Sequence, residues 1–313
     1  MVAGEQRARI DSFLLTSLRG SGAARYMAAL DAFRSDGLGA SVDLDDLSEE
    51  DLDYAIAEYI IDLYECSDGV DGIGAAGTLL ACLARIRPRL RLKTAWRCLD
   101  VWRTRCPPKQ APTVPLELAF AAVSYLTMAG KAGLGCAVLL CFAGLLRASE
   151  ALRLTWADVH FVGSRVVIVL GQTKRGMEEK VILTNSSVVA WMRGFREATY
   201  SGKDYDRVCP GMYNTLTRWF RAAAAYLGFG AISWTTHGLR RGGATELLQR
   251  HVSLHDIMIM GRWRTERSCR EYLRRGEVAL LRLRQDLPRS AWERCHQLAA
   301  WGPAIWRMHV DID

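Results

Sequence analysis

Apolar residues recur at spacings of three and four through the first hundred positions, a period that predicts helices over 10–18, 24–34, 49–64, 78–87 and 93–104. Pro107, Pro108, Pro112 and Pro115 then crowd into nine residues, where helix cannot continue and an extended connector is favoured. Beyond them the helical period returns over 116–129 and 133–153. It gives way to two β-branched runs, RVVIVL (165–170) and EKVILT (179–184), which flank GQTKRGME and predict a hairpin with a loop of several residues. Helices are expected again over 214–227, 236–249, 254–260 and 265–274, followed by a helical tail after Gly276. The expected fold is mainly α with a small antiparallel β-sheet. Its divisions are a helical N-terminal domain (1–106), a Pro-rich linker (107–115), a second domain (116–275) and the tail (276–313).

The tail carries Leu280, Leu281, Leu283, Trp292, Leu298, Trp301 and Trp306, an apolar set too large for a solvated terminus. It must bury against something, whether its own domain or a second surface. The longest apolar run, 132–146, has fifteen residues, short of the roughly 20 that a bilayer span needs. It reads as a buried helix, and no membrane partner is expected.

A length of 313 residues, 50% hydrophobic and 24% charged, suits two domains of ordinary size and excludes disordered and collagen-like classes. With 41 basic against 34 acidic side chains the chain carries +7, which favours a polyanionic partner. The charge is uneven: 1–84 hold five basic and sixteen acidic residues, 85–109 nine and one, and 110–313 twenty-seven and seventeen. A nucleic-acid surface is therefore expected to begin near Arg85. The start, MVAGEQRARI, lacks the apolar stretch of a secretory leader, so a reducing compartment is expected, and nine cysteines with no Cys-x-x-Cys pair read as thiols.

Two short motifs are read as structural. Gly72-Ile73-Gly74-Ala75-Ala76-Gly77 fits G-x-G-x-x-G, but it follows an acidic, turn-like stretch and not the buried strand a dinucleotide fold requires, so it is taken as an interhelical turn. His251 and His255 are four apart with no third ligand at helical spacing, and no metal is expected. Other residues carry more when taken together. Arg147 and Glu150 lie three apart at the end of an apolar helix, His237 and Arg240 three apart at a helix start, and Trp263 stands nine residues before Tyr272, with Lys174 in the hairpin between.

In these residues the chain resembles the tyrosine recombinases, also called phage integrases, which share a catalytic fold with type IB topoisomerases. The wording HGLRRGGAT and GRW looks most like the recombinases of eukaryotic DIRS-type retroelements. The resemblance covers about 116–276. It implies a catalytic set of Arg147, Lys174, His237, Arg240, Trp263 and Tyr272, with Glu150 orienting His237 or Arg147. Tyr272 would be the nucleophile, His237 its proton acceptor and Lys174 the acid for the departing 5′-oxygen. Arg147, Arg240 and Trp263 would meet the charge on the phosphate, so neither metal nor other cofactor is implied. Arg85, Arg87, Arg89, Arg91, Lys93 and Arg241 are the expected DNA-contacting cations. The implied partners are double-stranded DNA and further copies of the chain, two on a site and four in synapsis, with a nuclear location if the source is eukaryotic and a cytoplasmic one otherwise. Two neighbouring readings stay open: a degenerate DNA-binding protein of this fold, and a topoisomerase-like enzyme without strand exchange.

Overall fold

The computed structural model describes residues 9–10, 13–14, 20–37, 44, 46–67, 72–106, 112–172 and 178–300. The chain divides into two compact units, Met1–Lys109 and Gln110–Asp313. Among the described residues no helix is long and apolar enough to cross a membrane.

The first unit is helical. Helix α1 (Gly20–Ala32) runs into a short π turn, Phe33–Gly37, and is followed by α2 (Glu49–Cys66), α3 (Ile73–Ile86) and α4 (Lys93–Arg105). Of the helix expected over 10–18 only Ile10, Phe13 and Leu14 are described, and they are helical. Leu30, Phe33, Ile56, Ile60, Leu80, Leu83, Leu99 and Trp102 form one core. Asp53 of α2 is buried and its carboxylate accepts from the backbone N–H groups of Thr94 (2.8 Å) and Ala95 (2.9 Å). A carboxylate from one helix thus satisfies the open donors at the start of another. Helix α3 begins five residues earlier than the apolar spacing suggested. Gly72, at φ +90°, turns the chain into it, so the glycine motif is an entry turn plus a first helical turn.

In the second unit α5 (Leu116–Met128) and α6 (Ala132–Ala143) pack as a pair, and 134–142 of α6 are buried without interruption. The helix expected over 133–153 is broken after Ala143. Leu145 takes a left-handed φ of +50° and Arg147 is extended before a single turn, α7 (Ala148–Ala151). The sheet has three antiparallel strands in chain order, β1 (Val159–Val162), β2 (Arg165–Gln172) and β3 (Glu178–Leu183), pairing Val159 with Ile168, Ile168 with Val181 and Val166 with Leu183. Those five side chains are buried against the helices. Strand β1 is a third strand beyond the expected hairpin.

Helix α8 (Ser186–Thr199) also went unpredicted, although Val188, Val189, Met192 and Phe195 give it a buried stripe and Asn185 caps it through the Val188 N–H at 3.1 Å. Helices α9 (Tyr213–Tyr226), α10 (Thr236–Gln249) and α11 (Leu254–Gly261) lie close to the expected ranges. Helix α12 (Glu266–Asp286) runs straight through the expected boundary at Gly276. That glycine is a packing contact, since a Cβ there would lie 2.1 Å from Thr245 Oγ1 of α10.

The tail folds back on its own unit as α13 (Arg289–Ala300), with Ala291 and Cys295 buried in the core beside α5. Trp292 stands edge-on to Phe229, ring centroids 5.2 Å apart, and Arg284 pairs with Glu117 at 3.1 Å. Trp301 and Trp306 lie outside the described residues. Cys66, Cys98, Cys106, Cys136, Cys141, Cys209, Cys269 and Cys295 are free thiols. Trp292→Ala should lower the unfolding free energy by about 3 kcal/mol, the low end for losing a large aromatic from a packed site. Urea titration of the full chain measures this, and an unchanged midpoint would mean that the helix does not sit on its own unit in solution.

Candidate active site

Three glycines set the site's principal helix. A Cβ at Gly238 would lie 2.2 Å from the Pro112 carbonyl oxygen, at Gly242 1.9 Å from that of Val114 and at Gly243 1.9 Å from that of Phe142. Only glycine lets α10 press this closely on 112–115 and on the end of α6. The opposite side of the helix carries His237, Arg240 and Arg241. A small core of Leu145, Ala244, Ile257, Cys269 and Leu273 seats α11 and α12 against it, which brings Trp263 and Tyr272 to the same place.

Around Tyr272 the rings and cations are close. Its centroid is 5.5 Å from that of His237 and 5.2 Å from that of Trp263, and the Arg241 guanidinium carbon lies 5.1 Å above the ring. Arg240 is 5% exposed, lies 4.9 Å over Trp263, and donates through Nη2 to the Gly261 carbonyl. Its Nη1 is buried with no hydrogen-bond partner among the described residues. Gly261 has no room for a side chain, because a Cβ would fall 1.6 Å from the Trp263 ring.

Arg147 enters from the break after α6. Its Nη1 meets Glu150 Oε1 at 2.6 Å, its backbone N–H donates to Glu150 Oε2 at 2.8 Å, and its side chain keeps 42% exposure. Of the two partners expected for Glu150, Arg147 is the one it holds. The other side of the buried Glu150 carboxylate meets Arg262 Nη2 at 2.5 Å, and Arg262 Nε lies 3.1 Å from Glu179 of β3. Arg262 ends α11 at φ +57°, a left-handed conformation that costs a non-glycine residue about 1 kcal/mol.

The crowding of cations shows in proton affinities. Burial pushes the Tyr272 hydroxyl up to about 12, while Arg240, Arg241 and Arg147 pull it down. Burial lowers Arg240 to about 10, helped by Arg147 and Arg262, so it stays a cation at neutral pH. His237 keeps an edge in solvent, yet desolvation of its inner side, then Arg241, Arg240 and Arg147, hold it below 6.5. For Glu150, burial alone would raise the carboxyl, but Arg262 and the bonds from Arg147 win and hold it below its ordinary value.

The structure therefore brings together Arg147, Glu150, His237, Arg240, Arg241, Trp263 and Tyr272. Lys174 lies outside the described residues. In the first unit Arg85, Arg89, Arg91 and Lys93 are exposed, whereas Arg87 is half-buried and points to the Leu44 carbonyl at 3.5 Å. Sequence reasoning missed Arg262 and Glu179. The signal available for Arg262 was its place between Gly261 and Trp263; for Glu179 there was none, since an acid entering a strand reads as solvated. Among the described residues no three His, Cys, Asp or Glu side chains cluster as metal ligands.

Residues 120–277 match the phage integrase family. No curated protein matches the chain. Solved structures that share the fold include these three. A lambda integrase dimer bound to a COC′ core site is 14% identical, with 86% of this chain and 94% of that one covered at a TM-score of 0.59. XerH site-specific recombinase, in a post-cleavage complex with palindromic difH substrate, is 15% identical over 85% of this chain and 79% of that one, TM-score 0.57. The Tn1549 transposon integrase, in complex with transposon right-end DNA, is 15% identical over 87% and 99%, TM-score 0.57.

A folded pKa below the unfolded value means that His237 is neutral at pH 7, favours the fold above about 6.5, and forfeits that contribution as acid drives the pH down through its folded value. An NMR titration of ¹³C-labelled imidazole should give His237 a midpoint under 6.5. A midpoint above 6.5 would show that the neighbouring arginines do not govern this ring.

Proposed function

Because the chain belongs to the phage integrase family, the tyrosine recombinases, we propose that it is a site-specific DNA recombinase that cuts and rejoins strands through a 3′-phosphotyrosyl intermediate. The observation that carries this reading is the buried Arg240 with one unsatisfied guanidinium nitrogen beside Tyr272 and the half-exposed Arg147. Buried donors without partners are costly. An oxyanion seated between the two arginines would satisfy this one, and planar guanidinium forks suit the non-bridging oxygens of a phosphodiester.

In the proposed reaction the Tyr272 oxygen attacks phosphorus while His237 takes its proton. That transfer is required, because a phenol with its pKa near 12 is protonated at neutral pH. The bond to the 5′-oxygen breaks as Lys174 gives that oxygen a proton. Charge growing on the non-bridging oxygens is met by Arg147, Arg240 and the indole N–H of Trp263. The reverse attack by a 5′-hydroxyl releases Tyr272 and reseals a strand, so the phosphotyrosyl bond conserves the linkage without ATP. Double-stranded DNA is the proposed substrate, supported by the DNA present in the three structures of shared fold. Assembly as a dimer on a site and a tetramer in synapsis belongs to the same proposal. The wording HGLRRGGAT and GRW supports the narrower reading, a recombinase of the DIRS-type retroelement kind.

With a pool of nicked duplexes of random sequence as probe, the wild-type chain should form an SDS-stable DNA adduct, and Tyr272→Phe should form none while binding DNA normally. Arg240→Ala should slow the adduct by at least about 10²–10³-fold, the cost of losing one donor to a developing oxyanion. Absence of a wild-type adduct would favour a DNA-binding protein without turnover. An adduct that relaxes supercoils but never joins two duplexes would favour the topoisomerase-like alternative.

For the first unit, neutralising Arg89, Arg91 and Lys93 together should flatten the dependence of log affinity on log salt by about 0.9 for each lost phosphate contact. An unchanged slope would confine DNA contact to the second unit.

A further inference from the structure

Helix α11 ends in a turn in which the Trp263 N–H returns to the Met258 carbonyl at 3.0 Å and the Arg262 N–H to that of Ile259 at 3.1 Å. The left-handed position of such a turn ordinarily belongs to glycine. Here it holds an arginine whose side chain is 5% exposed, and whose guanidinium spans two carboxylates from elements far apart in sequence. One is Glu150, which grips Arg147; the other is Glu179, five residues after Lys174 on the returning strand of the hairpin. Backbone preference and burial both argue against a charged residue at this place, so its contacts need another explanation.

We propose that Arg262 is a positioning residue for strand cleavage: it balances Glu150 so that Arg147 stays turned toward the phosphate, and it ties β3, the strand that carries Glu179, to the same pocket. This inference rests on the recombinase reading. The electrostatic logic is direct. Glu150 faces Arg147 and Arg262, with Arg240 and the Cys141 thiol also within its field. If Arg262 is removed, a buried carboxylate keeps Arg147 as its remaining direct ion-pair partner and draws that guanidinium inward, away from where an oxyanion would sit. With Arg262 in place, Glu150 Oε2 is shared by Arg262 and the Arg147 backbone N–H, and Oε1 alone takes the Arg147 guanidinium. The tryptophan that follows is fixed by the same turn, so one residue links Arg147, the hairpin and Trp263.

Arg262→Gly tests this, since glycine suits the left-handed backbone and removes only the side chain. Adduct formation on the nicked duplex pool should fall about 10²-fold, the scale of an ångström-level misplacement, with DNA affinity within twofold of wild type. Arg262→Lys, which keeps a charge on Glu150 but cannot fork to both carboxylates, should recover at least tenfold of that loss. Labelling of Arg147 by phenylglyoxal at pH 8, read by mass spectrometry, needs neither DNA nor turnover. It should slow several-fold in Arg262→Gly and stay near wild type in Arg262→Lys. Glu179→Gln should slow the adduct while leaving Arg147 labelling unchanged, because only the hairpin tie is cut.

Wild-type adduct rates in Arg262→Gly, or a lysine variant as impaired as the glycine one, would overturn the positioning role while the recombinase reading stands. If the wild-type chain forms no adduct, that reading falls, and Arg147 labelling still decides: an unchanged or faster rate in Arg262→Gly overturns the link from Arg262 through Glu150. Should the glycine variant fail to fold, Arg262→Gln, which removes the charge from Glu150 and keeps most of the side-chain volume, carries the same comparison, and wild-type adduct and labelling rates in it would overturn the role.

Discussion

Arg147, Arg240 and Arg262 bring three guanidinium groups to one pocket, where Arg147 and Arg262 make it harder for Arg240 to hold its proton and Arg147 does the same to Arg262, and Glu150 and Glu179 are the carboxylates paired there. Charges withdrawn from water persist only when partnered. Among the described residues the pairing is incomplete: both carboxylates meet Arg262 or Arg147, and Arg240 spends one nitrogen on a backbone carbonyl and leaves another without a partner. The pocket therefore carries surplus positive charge by construction. That surplus gives it chemical character, since an anion entering it replaces solvent around cations already fixed in place and needs no rearrangement to be met.

The means of fixing them is close backbone contact. Arginine is long and flexible, and holding several of them demands short, stiff supports. Helix α10 lies almost against the carbonyls of Pro112, Val114 and Phe142 because glycine faces each of them, and Gly276 lets α12 come equally near Thr245. The α6 helix beneath is buried along nearly its whole length, so the floor of the site is continuous with the core of the unit. The break after Ala143 lifts Arg147 out of that floor and into position beside Glu150.

Much of this could be read from the sequence, and the failures have identifiable causes. Long amphipathic segments and the β-branched hairpin announced themselves through period. Helix α8 did not, because its stripe opens on two valines next to a strand, where β-branched residues point to continued sheet. The kink after α6 was hidden by a run that stays apolar straight through it; left-handed geometry at Leu145 leaves no mark on hydrophobicity. Gly276 looked like a terminator, though helix-to-helix proximity and helix termination favour the same residue. At the site, the spacing of Arg147, His237, Arg240, Trp263 and Tyr272 was legible as a joint pattern. The ion pairs of Arg262 were not: they join residues up to 112 positions apart, and no local pattern encodes a long-range pairing of common charged side chains.

The fit of Gly261 under the Trp263 ring makes these two positions dependent in the order in which they can change. A chain that acquired a side chain at 261 first would pass through an overlap at 1.6 Å, a collision that no ordinary packing adjustment absorbs. A chain that first exchanged the indole for a smaller ring would open the space, after which 261 would be free to vary. Evolution away from this arrangement by single steps therefore has one passable direction, through the aromatic. Lineages keeping tryptophan at this place are held to glycine two residues before it by sterics alone, whatever happens to the chemistry of the site.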